Sequence, residues 1–333
     1  MTRSRLVVFM ALIVVGIGAA AAIGAFYLDP ARAAVGPLSA EATVLPADSR
    51  FVMGFDVRRF VESPFYQRFG ADHGKARPDA FVQIEEQVGL DPEKDVDRVV
   101  VAGREATGKG KQGGVALVSG RFDRYKLGRA IEQRPGVTTK HHQGTAMYVY
   151  REGQRDGAAV AFLDDSTLVL GAQPDVEAVI DNRLRGQAGL RANATLMALL
   201  ETVKPGSTFW MAGDQSVLSR LPAGIPGPGG SPMQLPAVRS VVITGDLDPL
   251  VAIEVTGETA DAASAQSLAD VLRGLLAMAS LQAQQKPELR QLASAVNVTT
   301  DANRVQVNGR FPYELLDALQ SKRPAVSGGA PSR

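Results

Sequence analysis

Pro46-Ala47-Asp48-Ser49-Arg50-Phe51-Val52-Met53-Gly54-Phe55-Asp56 is echoed far down the chain by Pro205-Gly206-Ser207-Thr208-Phe209-Trp210-Met211-Ala212-Gly213-Asp214. Ser49, Phe51, Met53 and Asp56 meet Ser207, Phe209, Met211 and Asp214 at one offset, 158 residues. Each stretch reads as a turn followed by a strand that ends on an aspartate. Side chains alternate across a strand, so Phe51, Met53 and Phe55 share one face, and Phe209 and Met211 share one likewise.

The parallel continues outward. In the first half a helix follows, with Ser63 as its cap and Pro64 at its first position. Phe81, Ile84 and Val88 then fall at helical spacing before Gly89. Strands follow at 97–103 and 114–120, and a helix enters from Asp123. Four strands at 137–141, 146–150, 158–163 and 167–171 lead to a closing helix at 174–184. In the second half, 238–245 and 250–257 match the two strands, and a helix enters from Asp261. A hairpin at 297–300 and 304–309 leads to a closing helix at 312–320. The second half has one hairpin fewer and a longer helix, whose Leu268, Val271, Leu272, Leu275 and Leu276 form an apolar stripe. That stripe packs on its own sheet or overhangs to meet a partner. The matched order implies an internal duplication; the alternative is a βαββ rhythm repeated without common descent. The expected fold is α+β, two related ferredoxin-like-style sheet-plus-helix halves with helices on one face.

Ahead of both halves runs Leu6–Leu28, apolar and uncharged, directly after Arg3 and Arg5. About 20 apolar residues suffice for a helix to cross the hydrocarbon core. The flanking arginines hold the N-terminus inside, and Asp29 follows on the far side. The alternative is a signal peptide cleaved after Ala31-Arg32-Ala33, although its apolar stretch would be long. The chain therefore divides into 1–28 (anchor or signal segment), 29–44 (Pro/Ala-rich spacer), 45–190 and 191–321 (the two halves) and 322–333 (a tail read as disordered). A Gly/Pro-dense loop at 223–232 replaces the helical connection of the first half.

Composition narrows the functions. The balance of 36 basic and 35 acidic residues gives a formal net charge of +1, so no broad field invites nucleic acid. Without cysteine there is no disulfide, thiolate metal site or cysteine nucleophile. His141 and His142 are adjacent in a strand and point to opposite faces, and His73 sits in a polar stretch. No nucleophile-elbow, zincin or S-x-x-K pattern occurs. The Gly108–Gly114 run lacks G-K-[ST] and joins two strands, so it reads as a hairpin turn. Asp246 with Asp248, and Asp164 with Asp165, read as turn aspartates. Asn193 and Asn297 match glycosylation acceptors that carry no meaning in a bacterial protein. No catalytic, cofactor-binding or metal residue is assigned, and no cofactor is expected.

The turn-plus-strand Leu45-Pro46-Ala47-Asp48, the run Gly89–Val99 and the run Phe162–Gly171 resemble uncharacterised bacterial membrane-anchored proteins with a duplicated α+β exported domain. That resemblance covers most of the exported part and implies no activity. The expected function is non-enzymatic: a protein of the bacterial inner membrane, single-pass through Leu6–Leu28, with its bulk periplasmic. There it binds or scaffolds another envelope component, or associates with itself. The alternatives are a carrier of a small apolar ligand or lipid in a cleft between the halves, and an enzyme whose site assembles only in three dimensions.

Overall fold

The computed structural model describes residues 43–69, 79–104, 113–151, 157–186, 188–215, 237–282 and 287–320. Its strands are β1 (Phe51–Asp56), β2 (Val96–Gly103), β3 (Gly114–Gly120), β4 (Val137–His142), β5 (Thr145–Tyr150), β6 (Ala158–Phe162), β7 (Thr167–Ala172), β8 (Phe209–Asp214), β9 (Val238–Asp246), β10 (Val251–Thr259), β11 (Val296–Asp301) and β12 (Arg304–Phe311). The helices are α1 (Val57–Val61), α2 (Pro64–Phe69), α3 (Asp79–Val88), α4 (Pro92–Asp95), α5 (Arg124–Glu132), α6 (Gln173–Arg185), α7 (Ala194–Glu201), α8 (Ala262–Gln282), α9 (Pro287–Ser294) and α10 (Tyr313–Gln320). The fold is α+β, with the twelve described strands in one sheet.

Strand order is β11-β12-β10-β9-β8-β1-β2-β3-β7-β6-β5-β4, and every neighbouring pair is antiparallel. The halves meet where β1 lies beside β8. In that ladder Met53 stands opposite Met211, Phe51 opposite Gly213 and Phe55 opposite Phe209. Met53 thus faces the residue that matches it at the 158 offset, and the pairs on either side exchange under the same offset.

Local chemistry places the helices. The Asp56 carboxylate accepts from the Arg59 N–H at 2.9 Å, turning the end of β1 directly into α1. Ser63 Oγ accepts the Tyr66 N–H at 3.0 Å, with Pro64 opening α2. Asp123 caps α5 through the Lys126 N–H at 2.9 Å, and Asp261 caps α8 through the Ser264 N–H at 2.7 Å. Gly89 follows α3 at φ 70°, the left-handed region that glycine enters without penalty.

The two faces of the sheet are covered differently. On the front face Phe55, Val99, Ala116, Val118, Phe162 and Phe209 pack with residues of α1, α2, α3, α5 and α10. Farther out on that face, Leu268 and Ala269 of α8 pack on Val298 and Val305. On the back face Val52, Val100, Leu117, Val169 and Trp210 pack under α6, the 3₁₀ turn Gly189–Ala192, and α7. Burial on both faces explains why β2, β3, β6 and β7 are nearly continuous apolar runs.

Three expectations are corrected. A ferredoxin-like arrangement places crossover-connected parallel strands at its centre. Here β1, β2 and β3, and likewise β8, β9 and β10, pair antiparallel in chain order instead. Helices cover both faces, since strands apolar on both sides must bury both. The closing helices are not equivalent in space: α6 follows β7 onto the back face, whereas α10 follows β12 onto the front. There Tyr313 meets Phe65 and Phe69, with ring centroids 5.8 and 6.0 Å apart, and Arg68 pairs with Asp317 at 2.5 Å. The short helices α1, α4, α7 and α9 were not foreseen, and the long helix expected from Asp261 is α8.

The stretch Leu6–Leu28, His73, the 223–232 loop and the 322–333 tail lie outside the described residues. Among the described residues no helix is long and apolar enough to cross a membrane.

Candidate functional site

With α10 on the front, no described helix covers the back of the outer second half. Strands β10, β12 and β11 alternate strictly: Val251, Ile253 and Val255 point forward, and Glu254, Thr256 and Glu258 point back. Register aligns these into rows across the back face. One row is Ser240, Glu258 and Arg304; the next is Val242, Thr256 and Gln306; the next is Thr244, Glu254 and Asn308. Asn297 and Thr299 of β11 extend the array to the sheet edge, where both are exposed.

One side of this platform is walled by the C-terminal end of α7 and the turn after it, through Leu199, Thr202 and Lys204. Wall and floor enclose a concave space of about 160 Å³. Lys204 Nζ is held 2.7 Å from Asp246 Oδ2, which fixes the ammonium at the rim. Glu258 accepts from the Asn303 side-chain amide at 3.0 Å and faces Ser240 Oγ at 3.4 Å. Glu254 and Arg304 are exposed, and neither side chain makes a hydrogen bond or ion pair among the described residues.

The residues singled out from sequence go elsewhere. His141 and His142 do project to opposite faces of β4; His142 Nε2 lies 2.9 Å from Asp181 Oδ1 on α6, and His141 is exposed. Asp246 is the partner of Lys204, and Asp248 is an exposed turn residue. Asp165 pairs with Arg124 at 2.7 Å. Asp164 accepts from Ser166 and Arg183; burial pushes its pKa up, but these hydrogen bonds outweigh it and hold the pKa below the ordinary value. Both aspartates serve the turn between β6 and β7. Asn193 caps α7 through the Leu196 N–H at 3.0 Å. Among the described residues no group of three or more His, Asp or Glu side chains converges to hold a metal.

Two buried polar ties hold the scaffold behind the platform. Arg59, 6% exposed, lies beside Asp56 and donates to the Gly206 carbonyl, joining α1 to the turn before β8. Asp175 at the start of α6 is paired with Arg104 and accepts the Gly114 N–H at 2.7 Å. Asp56 sits in the first of these ties, and burial pushes its carboxyl pKa up against the opposing pull of the Arg59 N–H and charge.

The platform itself was overlooked in sequence, yet it had a signal. Strands β10 and β12 alternate apolar and polar residues, while β2, β3, β6 and β7 do not, and alternation marks a strand covered on one face only.

No family model matches the chain, and no curated protein matches it. Among solved structures, crystal form III of TP0453 is similar at 10% identity and a TM-score of 0.46, covering 88% of this chain and 100% of that one. Crystal form I of TP0453 is similar at 10% identity and a TM-score of 0.45, covering 87% and 98%.

Proposed function

We propose that this chain is a non-enzymatic, membrane-tethered protein of the bacterial envelope, and that it docks another envelope component on the back face of its second half. The observation that carries this reading is the asymmetry of the sheet. The first half spends its back face on a helix-covered apolar core, whereas no described helix covers the hydrophilic outer strands of the second half there. The tether is Leu6–Leu28, with Arg3 and Arg5 inside and the sheet outside.

The platform is the product of a duplication in which the second copy sent its closing helix to the other face. Support comes from the matching Ser/Phe/Met/Asp positions, the Met53–Met211 pairing and the shared strand succession. A further match is that Phe51 lies over Gly103 across the β1–β2 ladder, as Phe209 lies over Gly245 across β8–β9. The carrier reading needs an apolar cleft between the halves. A continuous β1–β8 ladder runs there instead, which favours docking on a surface.

The test is in-cell photo-crosslinking with a photoreactive residue placed at Thr299, against a control placed at Tyr125 on α5, which is 88% exposed. Discrete adducts from the platform position and none from the control are expected. No adduct from Thr299 would refute the docking face.

A further inference from the structure

The concave end of the platform, against α7, has a more specific chemistry than the open sheet around it. Its space of about 160 Å³ is below the roughly 300–1,000 Å³ of pockets for drug-sized ligands, so it suits one ring or end group of a larger molecule. Its lining is mostly hydroxyl, amide, carboxylate and guanidinium, which disfavours an apolar occupant.

Charge narrows the choice. Arg304 stands opposite Glu258 in register, and Lys204 is tied to Asp246. An anion entering near Arg304 therefore also meets Glu254 and Glu258, while a cation meets Arg304 and Lys204. A neutral ligand that both donates and accepts can use both signs at once.

Backbone accounting narrows it again. An extended peptide gains most by pairing its N–H and C=O groups with a free strand edge. Here the floor strands β9, β10 and β12 spend their backbone groups on one another, so only side chains are on offer. Among the described residues Glu254, Thr256, Arg304 and Gln306 make no side-chain hydrogen bond. They stand on neighbouring strands about 4.8 Å apart, their backbones fixed by the ladder.

Resting on the docking reading above, we infer that this pocket takes a neutral polyhydroxylated ring, one sugar unit of a glycan. Ring hydroxyls donate to Glu254 and Glu258 and accept from Arg304 and Gln306. Leu199 and Val242 receive the less polar side of the ring. The rim groups are hydrated before binding, so each contact adds little and single-unit affinity is in the millimolar range.

The full chain, held in a detergent without sugar head groups, would be titrated with maltotriose, cellotriose and triacetylchitotriose by saturation-transfer NMR. Triglycine and sodium sulfate serve as the peptide and anion probes. At least one trisaccharide should bind, and Glu254→Ala and Gln306→Ala should each weaken it roughly three- to tenfold. Tyr125→Ala, on α5 and 88% exposed, outside the platform, should leave affinity unchanged, and all three variants should melt with the wild type. No trisaccharide binding by about 10 mM, equal binding by the pocket variants, or tighter binding of triglycine or sulfate would overturn the assignment. A Thr299 crosslink to a protein without any sugar binding would sink the saccharide inference and leave the docking face standing. Absence of both would sink the two together.

Discussion

The close fit of Phe209 over Gly245 allows a double-mutant test of the core. Phe209 is 7% exposed, and its ring lies over Gly245, its cross-strand partner. A methyl group built at Gly245 falls inside the van der Waals surface of that ring, so Gly245→Ala must push the ring out of its place. Overpacking of this kind costs about 1–3 kcal/mol. Phe209→Ala removes the ring from the front-face core and should cost about 3–5 kcal/mol through lost transfer energy and an unfilled cavity. In the double variant the clash has no partner, and the added methyl fills part of the void. Its total cost should therefore match or fall below that of Phe209→Ala alone, a coupling of about 1–3 kcal/mol. Urea unfolding followed by fluorescence of Trp210, the single tryptophan, reads this directly, because Trp210 packs over Gly54 at the junction of the halves. Strictly additive costs would show that the ring does not occupy Gly245's space, and the front-face packing would be wrong.

The continuous β1–β8 ladder makes the halves one cooperative unit, so Phe51→Ala and Phe209→Ala should each lower a single melting transition. Two transitions in calorimetry, each shifted by one variant, would refute it. Asp56 offers a pH test. Because burial raises its folded pKa above the ordinary carboxylate value of 3.8, the folded state holds that proton more tightly. This contribution to stability is full below the unfolded pKa and is lost as pH rises through the folded one. Asp56→Asn keeps a capping side chain and removes the titration. Its stability relative to wild type should therefore improve as pH rises above about 3.8 and level off once the folded carboxyl is ionised, and a difference constant with pH would exclude the effect. Asp175→Ala leaves the Arg104 guanidinium beside an emptied pairing site and the Gly114 N–H without its acceptor. Since Arg104 keeps Asp48 at 2.9 Å, the cost should be about 1–3 kcal/mol, chiefly from the unsatisfied Gly114 N–H, and no urea midpoint shift would contradict the tie. A reporter fused after Arg333 should be active only outside the cytoplasm; activity inside would reverse the orientation drawn from Arg3 and Arg5.

Sequence alone determined the local elements and their caps. Asp123 and Asp261 start helices, Ser63-Pro64 opens another, and Gly89 ends one, because a cap is a contact within a single turn of chain. It also aligned Phe51 and Met53 with Phe209 and Met211, since a shared offset needs no folded chain. Tertiary structure decided the rest. Nothing near residue 312 says to which face α10 turns; that follows from Tyr313 and Leu316 finding the aromatic cluster of α2 on the front, some 240 residues back in the chain. The platform exists only because of that choice: Glu254, Thr256 and Glu258 share a strand, but Arg304, Gln306 and Lys204 reach them through strand register and the α7 wall. Alternation along β10 and β12 told that one face would stay polar. Which face, and beside which helix, was fixed by the competition of two closing helices for two apolar cores.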